Sequence, residues 1–340
     1  MGVTDRQFIT RAGRTLRFTS LGFGSAPLGN YLRALPEAEA DAILDAAWES
    51  GLRYFDTSPF YGLGLSERRV GRLLSRHSAD RVTLSTKVGR LLIPCRPEEV
   101  NGGFFVETPQ VRFVYDYSYD GVMRSFEESL QRLKCDRVDI LYVHDICALV
   151  HGGREASEAR IRELMETGGW RALDELRSSG VVDAIGAGVN EWQPCVRLLE
   201  LADPDVFLLA GRYTLLEQEP LSTLFPMCAE RNVAVVVGGP YNSGILAGGE
   251  NYNYSKAPEP IVRKVRGIQS VCEQFGVRIH EAALQFVLAH PVVMSVIPGS
   301  QSTVENAQNA AALGAYIPPA FWEALKSQGL LSAGAPVPRS

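Results

Sequence analysis

Short apolar runs alternate along the chain with longer stretches in which apolar residues recur at helical spacing. The short runs predict eight strands, at residues 22–27, 52–55, 82–87, 138–144, 184–190, 206–209, 233–237 and 293–297. The amphipathic stretches predict helices, at residues 36–50, 66–75, 120–134, 158–179, 191–202, 219–231, 260–275, 280–289 and 302–313. Eight strands with helices between them predict an α/β protein with the (β/α)8 TIM barrel fold, and 340 residues lie within its usual length.

The remaining segments fit the same architecture. Residues 7–19, with Gly13 between two apolar runs, predict an N-terminal β-hairpin that could plug the bottom of the barrel. Long loops at 88–119, 145–158 and 238–257 all follow strand ends, so we expect them at the C-terminal face of the barrel. Nothing resembles an interdomain linker, and we therefore expect residues 1–340 to form a single barrel domain with its core at about 8–325.

A doubly wound sheet is the alternative fold. Its dinucleotide fingerprint is G-x-G-x-x-G ahead of a helix, whereas residues 22–24 supply only G-x-G. The incomplete fingerprint therefore favours the barrel.

Composition narrows the classes of partner. The formal net charge is −5 and no basic run occurs, which argues against binding to nucleic acid or to an anionic membrane surface. No apolar run is long enough to span a bilayer, and the first residues lack a signal-peptide pattern. The six cysteines show no C-x-x-C spacing, so we expect a reduced, cytoplasmic protein without a metal site. An oligomer is compatible with the sequence, but the sequence does not specify one.

Four chemically active residues stand at or just beyond the ends of early strands. They are Asp56, Tyr61, Lys87 and His144. In a barrel all four would point into one mouth, where an ammonium favours the phenolate of a nearby tyrosine and a carboxylate holds the lysine. Three have an ordinary alternative: Asp56 as a helix cap, Tyr61 as a loop aromatic and His144 as part of a turn. Lys87 fits an ordinary role least well, because a lysine at a strand end needs a partner. Together they predict a proton-transfer site for interconverting an alcohol and a carbonyl.

Several longer motifs carry a family resemblance. The chain resembles the aldo-keto reductase family over about residues 8–325, through the segments 55–62, 85–87, 139–145, 186–190 and 297–300. The resemblance implies that Asp56, Tyr61, Lys87 and His144 form the catalytic tetrad, with Tyr61 as proton donor or acceptor. It also implies a nicotinamide dinucleotide in the barrel mouth, with Asn190 bound to its carboxamide.

The cofactor end departs from the commoner family pattern. NADPH-using members carry a Lys and, six residues later, an Arg for the 2′-phosphate, and this chain has Gly299 and Glu305 there. A carboxylate would repel a phosphate but could accept a hydrogen bond from a ribose hydroxyl, so we predict NAD, with NADP less favoured. The alternative for Glu305 is an ordinary acid in the first turn of a helix. The resemblance also places Ser300 and Asn309 at the phosphates and the adenine.

Two further positions differ from the family at the nicotinamide. A Gln that helps hold the carboxamide aligns with Ala210, and the stacking aromatic aligns near Gly238. Tyr213 and Tyr241 are the candidates for a replacement ring, and the alternative for both is a core or loop aromatic. The resemblance assigns the loop that closes over the cofactor to residues including Gly239, Gly244 and Leu246.

Segments 115–121, 144–145 and 210–216 resemble the branch of the family that holds L-fucose (D-threo-aldose) 1-dehydrogenases and pyridoxal 4-dehydrogenases. This resemblance implies NAD-dependent oxidation of the anomeric hydroxyl of a cyclic aldose to a lactone, with Tyr61 as general base. The alternatives are the same step on pyridoxal and, in a different class, a cofactor-binding regulatory subunit with little turnover.

We expect the long loops to form the substrate walls. Polar side chains that could contact a small-molecule substrate there are Arg112, Asp145, His151 and Arg154, each of which could equally be a solvated loop residue.

Overall fold

A computed structural model describes residues 2–77 and 82–338. The strands are β1 (Asp5–Ile9), β2 (Thr15–Thr19), β3 (Phe23–Gly24), β4 (Tyr54–Asp56), β5 (Thr83–Val88), β6 (Arg90–Pro94), β7 (Val111–Tyr115), β8 (Ile140–His144), β9 (Ala184–Val189), β10 (Val206–Ala210), β11 (Ala234–Gly238), β12 (Asn251–Tyr252), β13 (Ser255–Lys256) and β14 (Val293–Ile297). The helices are α1 (Glu37–Glu49), α2 (Leu65–Arg76), α3 (Tyr119–Leu133), α4 (Ala148–His151), α5 (Arg154–Glu166), α6 (Gly169–Ser179), α7 (Gln193–Leu201), α8 (Leu224–Glu230), α9 (Glu259–Phe275), α10 (Ile279–Leu288), α11 (Thr303–Gly314) and α12 (Pro319–Ser327).

Eight parallel strands form the barrel, in the order β14-β11-β10-β9-β8-β5-β4-β3. The edge strands β3 and β14 meet through the backbone pairs Leu21–Val296 and Gly24–Gly299, which close the ring. The predicted (β/α)8 barrel is therefore confirmed. Its seventh and eighth strands agree with the expected positions within one residue, whereas the first is much shorter than predicted.

Side chains alternate along the barrel strands between two apolar layers. In β8, Ile140 and Tyr142 point into the barrel, and Leu141 and Val143 point outward against the helices. Because both faces are buried, the strands read as continuous apolar runs rather than as alternating ones.

The N-terminal hairpin β1–β2 covers the end of the barrel opposite the carboxyl ends of the strands. Its Phe8, Leu16 and Phe18 pack against the inward-facing layer of the barrel. Arg6 and Arg11 also bind the backbone and side chains of segments next to the barrel strands. The predicted hairpin is confirmed, and it leaves the carboxyl ends of the strands as the open face.

Three predicted segments differ in detail from the structure. The loop 88–119 is not irregular throughout, because β6 and β7 pair within it as an antiparallel ribbon. The predicted helix 158–179 is two helices, α5 and α6, separated at Thr167 and Gly168, and Gly168 has a positive φ. The loop 238–257 contains the small hairpin β12–β13.

In the described part of the chain, no helix is both long and apolar enough to cross a membrane.

Candidate active site

The carboxyl ends of β4, β5, β8 and β9 bring Asp56, Lys87, His144 and Asn190 to one face of the barrel. Tyr61 arrives on the loop after β4. That loop is held close to the loop after β3, since Gly62 has a φ of 66° and a Cβ there would collide with the backbone of Gly29. A glycine pair thus fixes where Tyr61 stands.

Asp56 and Lys87 form a buried ion pair. The Lys87 Nζ donates to Asp56 Oδ2 at 2.6 Å and to the Thr57 carbonyl at 2.8 Å, and both charged side chains are at most 2% exposed. The other carboxylate oxygen of Asp56 accepts from Ser85 Oγ at 2.7 Å. Burial raises the pKa of Asp56 and lowers the pKa of Lys87, while each charge opposes the shift of its partner. Asp56 therefore holds the Lys87 ammonium in a fixed orientation, in a part of the site that is almost closed to solvent.

Tyr61 lies directly beside this ammonium. Lys87 Nζ is 4.7 Å from the centre of the Tyr61 ring, and Tyr61 packs edge-on against His144 with 5.9 Å between ring centres. Burial, followed by the charges of Asp56 and Asp145, raises the pKa of Tyr61 well above 10. The lysine was expected to lower this pKa, but in the protein alone the pKa of Tyr61 is raised and only Arg90 opposes the rise, so the phenol is protonated at neutral pH.

His144 is held from both sides of its ring. Its Nδ1 is 3.0 Å from Ser58 Oγ, and its Nε2 is 3.3 Å from Asp145 Oδ2. Burial, and then the charges of Arg90 and Lys87, lower the pKa of His144 well below 6.5. The imidazole is therefore neutral at physiological pH and carries a single N–H.

Asp145 connects His144 to a network that extends across the site. Arg90 Nη2 donates to Asp145 Oδ2 at 2.5 Å, and Asn190 Nδ2 donates to Asp145 Oδ1 at 2.9 Å. The Arg90 side chain is only 3% exposed. This network places Asp145 inside the site rather than on a solvated loop, which was its alternative interpretation.

Next to Tyr61 is a cavity of about 260 Å³. Small residues form much of its wall: Gly24, Ala210, Gly211, Gly238, Gly239 and Gly299. Asn242 also lines it, at 2% exposure, with Nδ2 donating to the Gly211 carbonyl at 3.0 Å and Oδ1 without a hydrogen-bond partner among the described residues. The cavity thus combines an open apolar wall with one unused buried acceptor beside the tyrosine.

Aromatic side chains from two loops meet over this cavity. Tyr254, at the turn between β12 and β13, stacks on Phe104 with 5.9 Å between ring centres. Its hydroxyl also donates to Asn190 Oδ1 at 3.0 Å. The loop 88–119 and the loop 238–257 are therefore in contact across the mouth of the barrel.

Comparison with known proteins agrees with this geometry. The family model described as the aldo/keto reductase family matches residues 20–328. The chain therefore belongs to the aldo-keto reductase family. It is 41% identical to the pyridoxal 4-dehydrogenase of Microbacterium luteolum, over 97% of this chain and 98% of that protein. It is 37% identical to the D-threo-aldose 1-dehydrogenase of a Pseudomonas species, over 94% and 97% of the two chains.

A solved aldo-keto reductase supports the same assignment. The holo form of an aldo-keto reductase from Bacillus halodurans superimposes with a TM-score of 0.72, covering 98% of each chain at 27% identity. An aldo-keto reductase is an oxidoreductase that works with a nicotinamide cofactor, so the predicted enzyme class is confirmed.

At the cofactor end of this aldo-keto reductase, several predicted residues form one cluster. Asn309 accepts a hydrogen bond from the Tyr241 hydroxyl at 2.6 Å and donates to Ser300 Oγ at 3.3 Å. Glu305 is exposed in the first turn of α11, where its carboxylate accepts from the Gln301 N–H at 2.6 Å. Glu305 is thus an exposed acid in the first turn of a helix, as its alternative interpretation had it.

Two predicted cofactor residues lie elsewhere. Tyr213 does not line the cavity, because it is fully buried against Phe225, Phe286 and His290 in the core. It is therefore a poor candidate for the ring that stacks on nicotinamide. Leu246 is also fully buried in the core, which leaves only its backbone available to a ligand.

The other residues predicted to contact the cofactor or the substrate lie in different parts of the structure. Gly239 lines the cavity, and Gly244 stands at a φ of 102° at the start of a short 3-10 turn. His151 packs against Tyr115 at 4.6 Å between ring centres, below the mouth, whereas Arg112 and Arg154 are exposed. The structure gives neither arginine a contact with the tetrad.

Sequence reasoning missed Arg90 and Asn242. Arg90 follows Lys87 by three residues and opens a short continuous apolar run, residues 91–93, which was a detectable strand signal. Asn242 has a φ of 47°, and asparagine is enriched in that conformation, but nothing in the sequence indicated that it would be buried.

Proposed function

We propose that this chain is an NAD-dependent dehydrogenase that oxidises the anomeric hydroxyl of a cyclic aldose, of the L-fucose or D-threo-aldose type, to a lactone. The observation that supports it most is the Lys87 ammonium, held by Asp56 on one side and facing the Tyr61 ring at 4.7 Å on the other. A tyrosine beside an oriented cation in a cavity is suited to exchange a proton with a hydroxyl group.

In this proposal the four residues act together on one C–O bond. Tyr61 accepts the hydroxyl proton of the substrate as the carbonyl forms. His144, neutral and with one N–H, donates a hydrogen bond to the reacting oxygen. Lys87, fixed by Asp56, stabilises the negative charge on Tyr61. A bound oxidised nicotinamide would supply the hydride acceptor for the same carbon, and the loss of hydride and proton would convert a cyclic hemiacetal into a lactone.

The cavity has features that fit a nicotinamide dinucleotide. Glycines and Ala210 leave an open wall near Tyr61, and Asn242 Oδ1 is a buried acceptor with no partner in the described part of the chain. Asn190, Ser300 and Asn309 add polar groups along the path that the resemblance assigns to the cofactor. Glu305 supports NAD rather than NADP, because a 2′-phosphate would meet its carboxylate.

The second candidate substrate is pyridoxal, whose cyclic hemiacetal would undergo the same step. The relative named for pyridoxal is the more similar of the two, at 41% against 37% identity. The aromatic rings of Tyr31, Phe104 and Tyr254 at the mouth could also contact a flat heterocycle.

The test is a substrate panel with initial rates measured as NADH formation. The panel holds L-fucose, D-arabinose, L-galactose and pyridoxal, and the products are identified as lactones by mass spectrometry. Turnover of a sugar supports the first proposal, and turnover of pyridoxal alone supports the second. Tight NAD binding without turnover of any of them would refute both and favour a regulatory subunit.

Tyr61→Phe is the matched variant for this panel. It removes only the hydroxyl, so turnover should fall by at least about a hundredfold while NAD affinity stays within a factor of about two. Retained turnover would contradict the role of Tyr61.

We further propose a single barrel domain in the cytoplasm, in line with the cysteine usage.

A further inference from the structure

Arg90 and Asp145 form a second buried ion pair in the site, apart from the Asp56–Lys87 pair. Arg90 opens β6, immediately after β5, and Asp145 follows β8, so two neighbouring barrel strands hold the two charges. The Nη2–Oδ2 distance is 2.5 Å, and the side chains are 3% and 9% exposed. No step of the proposed reaction uses either residue directly.

The aromatic rings around Arg90 fix its orientation. The guanidinium carbon lies 4.0 Å from the centre of the Phe60 ring, 5.2 Å from that of Phe113 and 5.3 Å from that of Tyr115. Its Nε and Nη1 have no hydrogen-bond partner among residues 2–77 and 82–338, so the rings and one carboxylate oxygen are what hold it. A flat guanidinium suits such ring faces, and a lysine ammonium would not.

We propose that the Arg90–Asp145 pair is a positioning element that keeps His144 neutral with its proton on Nε2, directed at the reacting oxygen. This inference rests on the proposed function, since it assigns His144 the role of hydrogen-bond donor. Asp145 would determine where the proton sits, and Arg90 would keep the carboxylate from drawing a second proton onto the ring.

The contacts of the His144 ring support this assignment. Ser58 Oγ accepts a hydrogen bond from the Phe60 N–H at 3.1 Å, which leaves its own O–H free to donate to His144 Nδ1 at 3.0 Å. A nitrogen that accepts carries no proton, so the proton belongs on Nε2. Asp145 Oδ2 lies 3.3 Å from Nε2 without forming a hydrogen bond, and its negative charge favours a proton on that nitrogen.

The charges around the site support the role of Arg90 in keeping a second proton off the His144 ring. Arg90 lowers the pKa of both His144 and Tyr61, whereas Asp145 raises the pKa of Tyr61. The charged groups that act on these two rings are Asp56, Lys87, Arg90 and Asp145, whereas His151 contacts the Tyr117 hydroxyl, which donates to the backbone carbonyl of His144. Removing one member of the pair should therefore shift the pKa values of His144 and Tyr61 in a direction set by the sign of the remaining charge.

The test on His144 is an NMR measurement that needs no substrate. The chain has five histidines, so long-range ¹H–¹⁵N spectra of ¹⁵N-labelled protein are tractable, and His144→Gln identifies the resonance. We expect a neutral ring with the proton on Nε2 at pH 6–8. Arg90→Met should raise the His144 titration midpoint by about one to three pH units, because an uncompensated carboxylate then faces the ring. Asp145→Asn should not raise it.

The outcomes against the proposal are equally specific. A proton on Nδ1 in the wild-type protein, or an unchanged midpoint in Arg90→Met, would overturn it. If Arg90→Met does not fold, the double variant Arg90→Met with Asp145→Asn leaves no charge unpaired. In the double variant, His144 should then show the Nδ1–H tautomer alongside the Nε2–H tautomer. A ring that still carries its proton only on Nε2 in this variant would also overturn the proposal. Asparagine suits position 145, where φ is 53°.

The second measurement is the pH profile of turnover with the substrate that the panel identifies. The midpoint that reports Tyr61 should move up in Arg90→Met, down in Asp145→Asn, and back toward wild type in the double variant. Equal losses of rate with unmoved midpoints would mean a purely structural pair. The predicted NMR shifts without any turnover would refute the proposed reaction and leave this inference standing.

Discussion

Breaking the Asp56–Lys87 pair should cost stability as well as activity. Lys87→Met keeps the length and volume of the side chain but removes the ammonium, which now binds Asp56 Oδ2 at 2.6 Å and the Thr57 carbonyl at 2.8 Å. A buried carboxylate and a carbonyl then lose their donor, and losing one partner of a buried pair costs about 3–5 kcal/mol. We expect the free energy of unfolding at pH 8 to fall by that amount.

The double variant separates pairing from packing. Asp56→Asn in the Lys87→Met background removes the stranded charge and keeps an acceptor for Ser85 Oγ. We expect it to be more stable than Lys87→Met alone by at least about 1.5 kcal/mol, the scale of coupling between residues in contact. Arg124→Met, which breaks the exposed pair with Glu128, is the control and should cost less than about 0.5 kcal/mol.

The pH dependence gives a second signature. Burial already raises the pKa of Asp56, and the Lys87 charge opposes that rise, so removing the lysine raises this pKa further. A carboxyl with a raised pKa binds more protons in the folded state, hence the deficit of Lys87→Met should shrink as pH falls. The change approaches about 1.4 kcal/mol per pH unit between the raised pKa and about 4.

Urea denaturation followed by circular dichroism at pH 8 and pH 5.5 measures all of these quantities. A loss below about 1 kcal/mol for Lys87→Met at pH 8, or a deficit that grows at pH 5.5, would refute the reasoning. So would a double variant whose loss equals the sum of the two single losses.

Three further predictions concern the reaction and the cofactor. The oxidation rate should rise with pH through neutrality and beyond, because the raised pKa of Tyr61 leaves little phenolate at pH 7. The rate of the reverse reduction, which needs the phenol, should stay flat. Initial rates at pH 6–10 measure both, and an oxidation rate that peaked below pH 7 would contradict this. Glu305→Arg should raise kcat/KM with NADP by about 10- to 100-fold, and an unchanged NAD/NADP ratio would count against the cofactor assignment. Glu305→Arg tests the cofactor preference more cleanly than a substitution at Gly299, because a Cβ at Gly299 would lie 2.7 Å from Pro27 Cγ and disturb the packing. Asn242→Ala should weaken NAD binding by about tenfold in calorimetry, and unchanged affinity would show that its free acceptor serves another purpose.

The barrel and the meeting of the tetrad could be predicted from the sequence. Strand ends at Asp56, Lys87 and His144 lie on the same face because parallel strands of one barrel share a direction, so order along the chain was enough. The side-chain distances could not be predicted, and neither could the sign of the pKa shift at Tyr61, which depends on how completely the site is buried.

Other differences between sequence and structure came from tertiary packing. Tyr213 and Leu246 were placed at the cofactor by resemblance to a motif, and their burial, which depends on helices distant in sequence, was not visible in the sequence. The hairpin inside 88–119 had a signal in the short apolar runs of Arg90–Pro94 and Val111–Tyr115, although the long intervening loop obscured it. The break between α5 and α6 was also visible in principle, since Thr167 is followed by two glycines.

The contact between Phe104 and Tyr254 has a kinetic consequence. Each ring belongs to a different loop, and the Tyr254 hydroxyl also holds Asn190, so the two loops are tied together at one side of the cavity. For a ligand that enters between the rings, their separation is a first-order event of the protein alone. Association rates of such a ligand would then reach a ceiling at high ligand concentration, and the same ceiling would govern how fast product leaves.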